Sequence, residues 1–109
     1  MARYALTAFV SPLPGQEEAF MAWHRDQHVP EVLQVPGFLR CSRFEAAGAF
    51  AGDGRWPLMA IYEIETDDLD NCLSELKARL ADGRVSSTTL GDASKRTLLT
   101  WKLISEHTP

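Results

Sequence analysis

Four runs of alternating apolar residues, interrupted by two stretches with helical spacing, constrain the fold of this chain more than any other feature. The first run, Arg3 to Ser11, sets Tyr4, Leu6, Ala8 and Val10 on one face and Ala5, Thr7 and Phe9 on the other. Both faces are apolar or small, which predicts a central strand covered on both sides. Pro12-Leu13-Pro14-Gly15 ends it. From Gly15 to about Val29 the period becomes helical. Gln16, Glu17 and Glu18 occupy the first turn, where carboxylates suit the positive end of the helix dipole. Phe20, His24 and His28 then recur at i, i+4 and i+8, along one face. Pro30 has no N–H and disfavours helical geometry at Val29. The helix is therefore expected to end or kink there, with Glu31 to Val35 as an irregular turn.

Pro36-Gly37 punctuates the chain before a second strand, Phe38 to Ala46. Strict alternation puts Phe38, Arg40, Ser42 and Phe44 on one face and Leu39, Cys41, Arg43 and Glu45 on the other. Residues 47–57 are rich in Gly and Ala and read as a loop. Leu58 to Glu65 is the third strand, with Leu58, Ala60, Tyr62 and Ile64 opposite Met59, Ile61 and Glu63. Thr66 or Asp67 is the expected N-cap of a second helix, which keeps helical spacing to a stop at Asp82-Gly83. Arg84 to Lys95 is a polar loop anchored by Val85 and Leu90, and a lid role for it is left open. Arg96 to Ser105 is the fourth strand.

The order β-α-β-β-α-β predicts an α+β, ferredoxin-like domain over residues 1–109: a four-stranded antiparallel sheet with two helices on one face. The second face then needs a cover, because Tyr4, Phe9, Phe38, Phe44 and Trp101 cannot all point at two helices. A second copy burying the same face is the simplest cover, so a homodimer is expected.

The net charge of −4 and the scatter of the eleven basic residues argue against a nucleic-acid partner. No apolar run approaches the roughly 20 residues of a membrane span. Cys41 and Cys72 form neither a disulfide framework nor a metal-binding CxxC pair. With no leader-like start, free thiols point to a reducing, cytoplasmic setting.

His28-Val29-Pro30, followed by Pro36-Gly37-Phe38-Leu39-Arg40, resembles the H-x-P…P-G segment of the EthD-like proteins, which belong to the dimeric α/β-barrel superfamily. Trp23, five residues before His28, suits that pattern. The motif spans about Trp23 to Phe44, and the element order extends the likeness over most of the chain. The resemblance implies a dimeric α/β barrel with one pocket per subunit, between sheet and helices. It further implies a small aromatic or polyketide-like occupant and a pocket-facing His28. Chemistry varies across the superfamily, from isomerases and cyclases to cofactor-free monooxygenases and haem-degrading enzymes, so fold alone does not choose among them.

The residues themselves favour proton transfer. An imidazole titrates near neutrality, which makes His28 the first candidate base and His24, one turn earlier, a second proton carrier. Their alternative roles are a helix-end cap and a surface histidine. Asp26 is two residues from each and points away on an ideal helix. Phe20 heads the row and Trp23 lies beside it, either as core or as stacking partners for an aromatic substrate. Tyr62 is a candidate phenolic donor, and Arg43 a candidate holder of a carboxylate or enolate oxygen. His24 and His28 lack the intervening Glu of a zinc-protease motif, and no nucleotide or flavin fingerprint occurs, so neither metal nor cofactor is expected. The leading expectation is a cofactor-independent isomerase, cyclase or lyase acting on an aromatic, lactone or polyketide-like compound. A cofactor-free monooxygenase and a non-enzymatic binding dimer remain the alternatives.

Overall fold

In the computed structural model, which describes all 109 residues, the strands β1 (Ala2–Val10), β2 (Phe38–Glu45), β3 (Leu58–Thr66) and β4 (Thr97–Lys102) form one sheet in the order β2-β3-β1-β4. Every neighbouring pair is antiparallel. The most apolar strands, β1 and β3, hold the centre. Their residues Leu6, Ala8, Ala60, Tyr62 and Ile64 face the helices and form one core with Val32, Val35, Phe38, Cys72 and Val85. This is the expected ferredoxin-like arrangement. No helix is long and apolar enough to cross a membrane.

The first helix does not stop at Pro30. It runs as α1 (Glu17–Trp23), a π-helical turn (His24–His28) and α2 (Val29–Val32) without a break. In the wide turn the Val29 N–H bonds the His24 carbonyl, five residues back. The widening lets Pro30 sit in the first turn of α2, where a missing N–H costs little and its ring meets no tight preceding turn. The segment expected to be an irregular turn is thereby helical as far as Val32.

In β2 the expected alternation is corrected by a bulge. Phe38 pairs with Ile64 and Arg40 with Glu63, so Leu39 is the extra residue. One inserted residue flips the phase. Phe38 therefore shares the helix-facing side with Cys41 and Arg43, and Arg40, Ser42 and Phe44 face outwards. The Gly37 turn that feeds this strand packs against the end of β3. A Cβ there would lie 3.3 Å from both the Cys72 sulfur and the Glu65 carbonyl, at a φ of 99°.

Helix α3 (Leu69–Asp82) is capped by Asp68, whose carboxylate accepts the Asn71 N–H at 3.0 Å. The cap is therefore neither Thr66 nor Asp67, the two expected from the sequence; Thr66 instead accepts the Asp68 N–H through its hydroxyl. Gly83, with φ of 86°, ends the helix as expected. Strand β4 is shorter than expected. Its register sets Lys102 against Tyr4, and after a last bond from the Leu103 N–H to the Arg3 carbonyl β1 has no partner left to offer. The polar segment before it is tied down at several points. Leu13 N–H bonds the Leu90 carbonyl and Asp92 N–H the Ser11 carbonyl, each at 2.8 Å, and a short 3₁₀ turn, Ala93–Lys95, leads into β4.

Only 13 of 109 residues are buried, because the outer sheet face has no cover in the single chain. Phe44 and Trp101 are about half exposed there (50% and 52%) beside Leu99.

Candidate active site

A cavity of about 320 Å³ opens between the inner sheet face, the first helix, α3 and the segment leading to β4. Phe20, Trp23, His24, His28 and Tyr62 all line it, so five of the six side chains proposed from the sequence converge on one space. The sixth, Arg43, stands elsewhere. It lines a neighbouring cavity of about 290 Å³ and reaches His24 from behind. Helical spacing explains the convergence. Phe20 and His24 stack at 5.9 Å, His24 and His28 at 5.6 Å, and Trp23 lies 4.7 Å from His28 between ring centres. Asp26 is outside, in a surface ion pair with Arg25 at 2.7 Å.

Each imidazole has one nitrogen committed, and the two commitments are opposite. His28 Nδ1 lies 2.7 Å from the Ser86 carbonyl. A carbonyl oxygen only accepts, so Nδ1 carries the proton, and the neutral ring keeps its lone pair at Nε2. His24 Nδ1 lies 3.0 Å from Arg43 Nε. A guanidinium only donates, so this Nδ1 is the acceptor and the neutral ring carries its proton at Nε2. Neither Nε2 has a hydrogen-bond partner in the chain.

Burial is the main reason that both rings stay neutral at neutral pH. His24 is 7% exposed and its pKa is lowered to about 4, by desolvation first and then by His28 and Arg43. That of His28 is also lowered by burial. The Ser86 bond and Glu31 oppose the shift, and Arg96 adds to it. The Tyr62 hydroxyl is buried with no partner of hydrogen-bond geometry. Its neighbour, the Cys41 thiol, is a weak one. Burial raises the Tyr62 pKa strongly, so the phenol keeps its proton as a donor.

Sequence reasoning missed five participants. Glu31 accepts both the Ser86 N–H (2.9 Å) and the Ser86 hydroxyl (2.6 Å), which hold its carboxyl below the usual range. Ser86 also accepts the Trp23 indole N–H at 3.2 Å. One serine thus joins Trp23, His28 and Glu31. Arg96 and the hydroxyl residues Ser87 and Thr88 complete the wall. The only sequence signal was the polar tract Ser86-Ser87-Thr88-Thr89.

With this geometry established, comparison with solved structures finds the same fold in several proteins. An EthD family protein from Bacillus halodurans is 19% identical, with 95% of this chain and 100% of that chain covered and a TM-score of 0.62. A candidate monooxygenase from Shewanella loihica is 16% identical, covering 97% and 99%, with a TM-score of 0.64. A variant of MhuD with two manganese protoporphyrin IX bound per active site is 12% identical, covering 97% and 99%, with a TM-score of 0.65. No family model and no curated protein matches the sequence. The chain has the ferredoxin-like fold of EthD family proteins.

Proposed function

We propose that a chain with this fold is a cofactor-independent proton-transfer enzyme for a small, largely apolar carbonyl compound of aromatic, lactone or polyketide type. The observation that carries this reading is the pair of opposite tautomers in one apolar cavity. His28 Nε2, a bare lone pair, takes the proton from the carbon beside the carbonyl. The C–H electron pair moves towards the carbonyl oxygen, which becomes an enolate. His24 Nε2–H donates to that oxygen, in a site walled largely by apolar side chains. The base then returns the proton to another carbon, giving isomerisation, or the enolate carbon attacks a second carbonyl of the same molecule, giving cyclisation. A cofactor-free oxygenase would share the first step and pass the enolate's electrons to oxygen. Trp23 and Phe20 offer faces for a flat substrate.

Arg43 has a supporting role in this mechanism. By donating to His24 Nδ1 it fixes the tautomer that presents N–H to the substrate. The residues do not suit a porphyrin of the kind that the MhuD variant holds. The cavity is at the bottom of the roughly 300–1,000 Å³ range of small-ligand pockets, and Arg96 is the one guanidinium or ammonium group lining it for two propionates. No step is drawn through such a group.

The assembly belongs to the same reading. The open outer face, with Phe44, Leu99 and Trp101, fits a homodimer in which two sheets cover each other. Light scattering at micromolar concentration should find twice the 12.2 kDa mass, and a monomer would remove the barrel.

The decisive experiment is deuterium exchange by NMR, with small lactones and cyclic ketones, which exchange slowly on their own, incubated with the protein in D₂O. Exchange at the carbon beside the carbonyl should fall about 10²–10⁴-fold in His28→Ala. Full exchange by a folded, dimeric His28→Ala protein would remove the mechanism. Oxygen uptake during turnover would select the oxygenase branch.

A further inference from the structure

The cavity is apolar at its floor and polar on one wall, where Asp92 and the exposed Arg96 both stand. Phe20, Leu76 and Leu98 present carbon, whereas Arg96 lines the same space with the hydroxyl residues Ser87 and Thr88. Arg96 makes no ion pair. Every other arginine except Arg43, which is bound to His24, and Arg55 is within salt-bridge distance of a carboxylate. Asp92 also lines the cavity, yet its Oδ1 already receives both the Ser94 N–H (3.0 Å) and the Ser94 hydroxyl (2.6 Å), which holds that carboxylate in the 3₁₀ turn. A guanidinium left unpaired beside a pocket, with hydroxyl donors next to it, matches the planar oxygen pair of a carboxylate.

We infer that Arg96 is an anion-recognition residue and that the natural ligand is a small cyclic or aromatic compound bearing a carboxylate. The ring occupies the apolar floor beside Phe20 and Trp23, and the carboxylate meets Arg96, with Ser87 and Thr88 as further donors. This rests on the proposed ligand cavity and names its substrate class. It is independent of which atom His28 deprotonates. The bound anion would sit near enough to His28 to make that imidazole more basic, so substrate binding would itself strengthen the base.

The test is binding by NMR at pH 7, with benzoate and its uncharged counterpart benzamide as the probes. Benzoate should shift the backbone signals of Ser87, Thr88 and Arg96 and the ring signals of His28, and should bind about tenfold more tightly than benzamide. Arg96→Gln should abolish that preference while benzamide binding stays unchanged, and Arg96→Lys should restore part of it. Equal binding of the two probes to the native protein would overturn the inference. So would an unchanged benzoate preference in Arg96→Gln, or the absence of any benzoate effect on cavity residues. Because turnover is not measured, an active His28→Ala protein would refute the proton-transfer mechanism and leave this result standing.

Discussion

On the inner face of the sheet, Leu6, Ala60, Tyr62 and Ile64 lie under the helices, while on the outer face Phe44, Leu99 and Trp101 stand open. The strands are the same and the side chains alternate between the two faces, so backbone propensity does not separate them. What differs is the company. The inner face pairs its apolar side chains with a helix that also carries two histidines and tolerates an unpartnered phenol. The outer face sets Phe44, Leu99 and Trp101 beside two exposed ion pairs, Arg3–Glu65 at 3.4 Å and Arg40–Glu63 at 3.3 Å, and its Trp101 indole N–H donates to Thr7 Oγ1 at 2.8 Å. The proposed homodimer would cover the outer face, and the proposed substrate would fill the cavity on the inner one.

Five substitutions and a pH series break or sharpen that contrast. Ile64→Ala, at a fully buried inner position, should cost about 2–5 kcal/mol in chemical denaturation, because the cavity that it leaves is hemmed in by both layers. Trp101→Glu, on the outer face, should leave the folded chain largely intact but weaken dimerisation by about 3 kcal/mol or more, read by sedimentation equilibrium. Equal damage to folding from both would erase the distinction. Tyr62→Phe should be neutral or stabilising by up to about 1 kcal/mol, since it removes an unpaired buried hydroxyl, and enolate formation should stay near the native rate.

Acid should act on the inner face. The folded pKa of His24, about 4, lies below its ordinary value of 6.5. Above pH 6.5 both the folded and the unfolded chain leave this ring neutral, and its contribution to stability is complete. As the pH falls from 6.5 towards 4 the unfolded chain takes the proton first, so stability declines through that window. Urea titrations at pH 7 and pH 5 should show the loss, and a His24→Gln variant should lose less. The smallest effect belongs to Glu31→Gln. Removing the carboxylate charge should lower the His28 pKa, followed through its ring signals, and speed hydrogen exchange at the Ser86 amide.

The sequence made the layer order and the histidine row legible, because both follow from simple periods of two and of about 3.6 residues. It failed where one residue alters the period. The bulge at Leu39 moved Phe38 to the other face from Phe44, and the wide turn at His24–His28 carried the helix past Pro30. It failed again where the partner is remote. Ser86 is 58 positions from His28 and 55 from Glu31, and no local pattern joins them. Alternation predicts Arg43 as a holder of a substrate oxygen inside the pocket, but it binds His24 from behind, and which side of His24 it occupies depends on the strand's position beneath the helix, which no spacing rule carries.

Ser86 has a mechanical consequence. Its carbonyl orients the His28 ring, and its amide and hydroxyl bind its strip of cavity wall to Glu31 on the same helix. The anchor of the wall and the aim of the base are therefore one fastening. If that strip swings away to admit a molecule, the ring loses its orientation at the same instant and is free to turn. The open form would be chemically idle and only the shut form armed, so a reactive intermediate would be made only where water has already been excluded.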